Sequence, residues 1–187
     1  DYVFCTHLHA DHVGWNTKLL DGRWVPTFPN AKYIMARSEV DHWSHVRETT
    51  DEPANHQSWD DSVQPILDAG QAVLVESDHE IETGIHLVPA PGHTPGNCLL
   101  HVSDGKERAY MIGDTIHHPL QIENPNWSSN FCWDPDQSRL TRKKLLDDVA
   151  DTGTLIMPAH FAAPTAVRIL GDATGTGGFD FETVEKS

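Results

Sequence analysis

Residues 5–16 read CTHLHADHVGWN, which places His7, His9, Asp11 and His12 within six consecutive positions. No apolar periodicity calls for any of the four at its place. The chain has 13 histidines among 187 residues, so some must fall close together by chance. Whether this group is built to hold something is decided by the sequence around it.

The group follows the apolar stretch YVFCT, which reads as a buried strand ending at His7. The same arrangement recurs downstream. His93 follows HLVPAPG, Asp114 follows AYMIG, and His160 follows TLIMPA. Four predicted strands thus each deliver a metal-type ligand at the C-terminal end while their interiors stay apolar. Were those strands side by side, one loop-lined edge would gather five histidines and two aspartates. Imidazole suits borderline cations such as Zn²⁺, and bridging carboxylates hold two cations near each other. A tetrahedral zinc takes at most four protein ligands, so seven imply two metals.

Between these points the chain alternates. The stretch 15–36 holds two prolines and a D-G turn and reads as loop, then a strand at 33–36. Ser38 with Asp41 suggests a capping box for a helix through about Glu48, and a second helix is expected from Asp60 to Ala69 with Gly70 as its stop. From Ala72 short strands follow: AVLVE, IHLVPA, CLLHV and RAYMIG, the last two joined by SDGK, a hairpin-turn signal. Asp134, Pro135 and Gln137 open a helix to about Asp151 with Leu145, Leu146 and Val149 on one face. GTLIMPAH is a further strand, and AVRIL with FDFETV form a last hairpin across GDATGTGG. That glycine-rich loop lacks the lysine and following helix of a phosphate cradle.

Bulk composition narrows the function. An apolar content of 38% and this length suit one globular domain over residues 1–187. Thirteen Lys and Arg against 28 Asp and Glu give a formal charge of −15, which repels a phosphate backbone, so nucleic acid is not an expected partner. No run of apolar residues is long enough to span a membrane. Cys5, Cys98 and Cys132 are odd in number and widely spaced, which suits a reducing cytoplasm. The chain opens on Asp1 with no initiator Met and enters a strand at once, so an N-terminally incomplete domain is expected.

The motif H-x-H-x-D-H at 7–12, followed in order by PGHTPGN, IGDT and PAH, resembles the metallo-β-lactamase superfamily of binuclear metallohydrolases. The contexts DHVGWN and PGHTPG are most similar to N-acyl homoserine lactonase-like and methyl parathion hydrolase-like members. The resemblance implies an α/β fold, the αββα four-layer sandwich, here lacking part of its N-terminal sheet. It implies that His7, His9 and His93 bind a first metal, that Asp11, His12 and His160 bind a second, and that Asp114 bridges them. The cofactors implied are two Zn²⁺ or other divalent transition-metal ions, and the substrate a small molecule. The chemistry implied is a hydroxide between the metals that opens lactones or cleaves related esters. Asp11 and Asp114 are expected to have a catalytic role besides, steering the attacking water or passing its proton to the leaving group.

Other readings stand beside this one. A glyoxalase II-like thioesterase shares the first motif, but that family uses a basic patch which this acidic chain lacks. A flavodiiron protein places Glu where this chain has His9. A non-catalytic metal-binding protein remains an alternative. Among the other histidines, His42, His45, His56, His79, His86 and His101 read as surface or packing residues, whereas His117 and His118 stand at the mouth of the expected site. Trp15, Trp24, Phe28, Trp127, Phe131 and Trp133 fall in expected loops, either as filling between loops or as an apolar wall for an acyl chain. Cys5 and Cys98 read as strand filler.

Overall fold

The computed structural model describes residues 1–172 and 175–184. The chain divides into two compact units, Asp1–Ser77 and Asp78–Ser187. Among the described residues no helix is long and apolar enough to cross a membrane.

The first unit is built on a three-stranded parallel sheet. Its order is β1 (Tyr2–Phe4), β4 (Lys32–Ala36), β5 (Ala72–Val75). Tyr33, Ile34 and Met35 are buried on both faces of the central strand, which is why that strand is a continuous apolar run rather than an alternating one. β1 is less buried than its sequence suggests, with Tyr2 half exposed. After β1 come the one-turn helix α1 (Ala10–Val13) and a 3₁₀ turn at Gly14–Asn16.

The segment read as loop is in fact a hairpin, β2 (Thr17–Leu20) paired with β3 (Arg23–Pro26). Asp21 and Gly22 turn it, both at positive φ (50° and 75°), as a two-residue hairpin turn requires. α2 (Arg37–Thr49) starts two residues earlier than the capping box places it: Ala36 is the N-cap and no side chain caps the helix. The expected helix 60–69 is two helices, α3 (Pro53–Ser62) and α4 (Gln64–Asp68), broken at Val63. Pro65 lacks the N–H that would continue α3. Gly70 ends α4 at φ +66° as expected. Cys5, Leu8, Val13, Met35, Val40, Trp59, Val63 and Ile66 form the core of this unit.

The second unit carries a seven-stranded sheet ordered β12-β11-β10-β9-β8-β7-β6. In chain order these are β6 (Glu80–Glu82), β7 (Ile85–Pro89), β8 (Cys98–Asp104), β9 (Glu107–Gly113), β10 (Leu155–Pro158), β11 (Val167–Leu170) and β12 (Asp180–Thr183), with the short helix α5 (Leu120–Glu123) and α6 (Pro135–Val149) between β9 and β10. α6 begins as its sequence predicts: Asp134 accepts a hydrogen bond from the Gln137 N–H at 2.9 Å and Pro135 fills the first position. Its Leu145, Leu146 and Val149 pack on Leu99, Ile112, Ile156, Val167 and Ile169 of the sheet. The last hairpin, β11 with β12, forms in antiparallel register. Of the glycine-rich connection between them, positions 173 and 174 lie outside the described residues.

Strand direction decides where the expected ligands emerge. β7 and β9 are each antiparallel to β8, and β10 is parallel to β9. The C-terminal ends of β7, β9 and β10 therefore share one edge of this sheet, and His93, Asp114 and His160 each follow one of them.

Candidate metal centre

In the first unit, residues 5–16 form a closed loop. Cys5 Sγ donates to Asn16 Oδ1 at 3.4 Å, joining its two ends. Leu8 and Val13 anchor it in the core, and between them the polar side chains collect. His7 is fully buried, and its ring lies 4.8 Å from that of His9 and 4.1 Å from that of His12, centroid to centroid. Thr6 Oγ1 stands 3.1 Å from His7 Nδ1. The Asp11 carboxylate lies 3.5 Å from His12 Nε2. Buried Glu39 on α2 holds the loop from behind. Its Oε1 accepts from the Leu8 N–H at 3.0 Å and from Trp43 Nε1 at 2.7 Å, while Trp43 packs edge-on against His9. Burial pushes the Cys5 thiol up to about 11, so it stays protonated and is no nucleophile at neutral pH.

In the second unit, three imidazoles converge on one carboxylate oxygen. Asp114 Oδ2 lies 3.3 Å from His93 Nε2, 3.2 Å from His117 Nε2 and 3.2 Å from His160 Nε2. Asp114 is only 3% exposed and His93 2%. A carboxylate oxygen offers two lone pairs, fewer than three ring nitrogens at this distance call for. A divalent cation of the zinc type, which takes imidazole nitrogen and carboxylate oxygen together, fits this donor set.

The loops that carry these candidate ligands are held closely. A Cβ on Gly92, whose φ is +130°, would stand 2.3 Å from Ser138 N, so only glycine lets the PGH turn sit against the start of α6. The His93 and Gly92 carbonyls accept from the Trp133 and Asp134 N–H groups at 2.9 and 3.0 Å. Asn97 Nδ2 reaches the Ala90 carbonyl at 2.9 Å and Thr115 Oγ1 at 3.3 Å, joining the His93 loop to the Asp114 loop. Arg142, wholly buried on α6, donates to the carbonyls of Thr115 (3.0 Å), Pro125 (2.8 Å) and Trp127 (2.6 Å) and to Ser138 Oγ (3.1 Å). Gln121 Oε1 accepts from the His117 and His118 N–H groups at 2.7 and 3.3 Å.

Each expected ligand therefore lies in one of two clusters: His7, His9, Asp11 and His12 in the first unit, and His93, Asp114 and His160 in the second. The pair His117 and His118 separates. His117 turns inward to Asp114, whereas exposed His118 uses Nδ1 to accept from the Leu120 N–H at 3.2 Å. A position three residues past Asp114, in a turn, was the signal for the former. Glu39, Cys132 and Arg142 escaped the sequence reading. The reading of the loop aromatics as filling is overturned: Trp15, Trp127, Phe131 and Trp133 are 83, 56, 79 and 58% exposed, and Trp24 lies on β3 rather than in a loop.

The profile of the metallo-β-lactamase superfamily matches residues 1–160. The N-acyl homoserine lactonase of Bacillus thuringiensis is 26% identical over 160 residues, which cover 85% of this chain and 55% of that protein. The chain thus spans about half the length of the curated relatives it matches. Among solved structures, the hydrolase AbOPH of the β-lactamase superfamily superposes with a TM-score of 0.85 at 22% identity, over all of this chain and 65% of that one. AidC, a dizinc quorum-quenching lactonase in complex with a product, gives 0.79 at 23% identity, over all of this chain and 65% of that one. These likenesses show the fold.

Proposed function

The chain belongs to the metallo-β-lactamase superfamily, and on that premise we propose that it is a binuclear zinc-dependent hydrolase that opens lactones or cleaves related esters. In this reading residues 1–187 act as one domain. His7, His9 and His93 would hold one ion and Asp11, His12 and His160 the other, with Asp114 as the carboxylate that would serve both. The observation that carries it is the convergence of His93, His117 and His160 on the buried Asp114 carboxylate. The first unit's cluster of three histidines and Asp11 on a single loop supports it, as does the likeness to proteins named lactonases.

When bound, a pair of divalent ions would supply Lewis acidity and bring the pKa of a shared water down to about 7. The chain's own residues do the rest. Asp114, buried among imidazoles, keeps its carboxylate acceptor-only and so offsets the cations' charge. Asp11, exposed to solvent, accepts the proton of the attacking water at its carboxylate and returns it to the departing ring oxygen. The acyl C–O bond breaks, the hydroxyl of water adds to the carbonyl carbon, and a hydroxy acid leaves. Trp127, Phe131 and Trp133 offer exposed apolar surface for the acyl part of a substrate. All three cysteines are thiols rather than disulfides, which suits a cytoplasmic setting.

The test is elemental analysis of undialysed protein together with a hydrolysis screen of N-acyl homoserine lactones, thioesters, phosphotriesters and β-lactams. Close to two zinc ions per chain are expected, with lactone turnover lost to chelators and restored by Zn²⁺. One ion per chain, or turnover that ignores chelators, would overturn the reading.

A further inference from the structure

His93 can serve as a ligand through Nε2 only if its one remaining proton sits on Nδ1, and a buried Nδ1–H needs an acceptor. The atom standing there is Cys132 Sγ, 3.7 Å from His93 Nδ1. Cys132 is itself buried, and its sulfur lies 3.4 Å from Ser138 Oγ in the direction that donates S–H to the hydroxyl oxygen. Ser138 Oγ in turn accepts from Arg142 Nη2 at 3.1 Å.

We propose that His93, Cys132, Ser138 and Arg142 form a positioning chain in which the thiol of Cys132 accepts the His93 Nδ1–H and so turns the bare Nε2 toward the metal. This deepens the binuclear reading and rests on it. Arg142 can only donate, so Ser138 is kept as an acceptor. The thiol proton then has a place on Ser138, and the sulfur lone pairs face the imidazole. The same guanidinium donates to the carbonyl of Thr115, the residue after Asp114, so one buried cation secures the loops of two ligands. Cys132 thus has a role that requires neither nucleophilicity nor oxidation. It is a positioning residue, acting on the metal through His93.

The experiment compares Cys132→Ser with Cys132→Val in the full chain. A serine hydroxyl can accept from Nδ1 and donate to Ser138, whereas valine fills the space and does neither. Zinc affinity, read by competition with a chromophoric chelator, should fall about 10- to 100-fold in Cys132→Val. In Cys132→Ser it should stay within about threefold of wild type, by the same reasoning. In the zinc-loaded protein the His93 Nδ1–H proton resonance should exchange slowly with water in wild type and faster in Cys132→Val. Wild-type affinity and exchange in Cys132→Val would overturn the proposal, as would a serine variant as weak as the valine one. Wild-type protein that takes up no zinc would instead overturn the metal reading, and the positioning role with it.

Discussion

Replacing Arg142 with methionine tests the buried fork that holds the second cluster. The charged form bears a cost in the fold, since burial lowers its pKa to about 10. At roughly 1.4 kcal/mol per pKa unit, removing the charge returns about 3 kcal/mol. Against this stand four hydrogen bonds from an ionised donor. Trp127 O keeps a second donor in Gln121 Nε2 at 2.9 Å, and Ser138 Oγ keeps Cys132. The carbonyls of Thr115 and Pro125 lose the guanidinium, at roughly 1.5–3 kcal/mol each, with about 1 kcal/mol for each of the other two. The balance is a destabilisation of about 2–5 kcal/mol, or on the order of 10 °C in Tm for a chain of this size. Urea unfolding of the metal-free protein at neutral pH reads it. Arg142→Lys should be destabilised nearly as much, because a single ammonium retains the charge but cannot fork to separate acceptors. A methionine variant within about 0.5 kcal/mol of wild type would refute the reasoning, since it would mean that the carbonyls find other partners at no cost.

Three further outcomes are expected. Asp114→Asn should release metal and lower turnover by orders of magnitude while circular dichroism stays near wild type, because the amide keeps the shape but not the charge that binds cations; retention of metal and activity would exclude Asp114 as a ligand. Gly92→Ala should weaken zinc binding and lower the unfolding midpoint together, since the added Cβ meets the Ser138 backbone and cannot relax into open space; unchanged values in both assays would show that the turn yields. His101 is 8% exposed, and burial first, then His86 and Arg108, lower its pKa. A base depressed in the fold contributes stability that is complete above its unfolded value, near 6.5, and is lost as pH falls through the folded one. Urea midpoints at pH 7.5 and 5.5 should therefore differ less in His101→Leu than in wild type, and equal differences would count against it.

The parts legible in the sequence were those encoded locally. α6 announced itself through Asp134, Pro135 and Gln137, and the candidate ligands drew notice because His7, His93, Asp114 and His160 each follow an apolar stretch. The β2–β3 hairpin did not, although its D-G turn was visible. Lys18, Leu19, Leu20, Arg23 and Trp24 are all exposed, and only Thr17 and the end of β3 are covered, so too little of this ribbon is buried to impose alternation. The break at Val63 was lost for a different reason, as one proline sat inside an otherwise helical pattern. Glu39, Cys132 and Arg142 answer to partners 31, 39 and 27 residues away in the chain. No local pattern marks such residues, and a buried charge reads in sequence like any solvated one. His117 lay between these cases, close to Asp114 in sequence but with its backbone N–H held by Gln121.

The common direction of β7, β9 and β10 also says where this sequence tolerates changes of length. The turn at Gly105, between β8 and β9, and the turn at Gly153, before β10, both lie at the edge of the sheet opposite His93, Asp114 and His160. A peptide inserted at Gly105 lengthens the chain at that far edge and leaves the interval from Asp114 to His117 unaltered. One residue added between Pro91 and Asn97 moves His93 itself. Length variation and fusion sites therefore belong to one edge of this unit, and fixed spacing to the other.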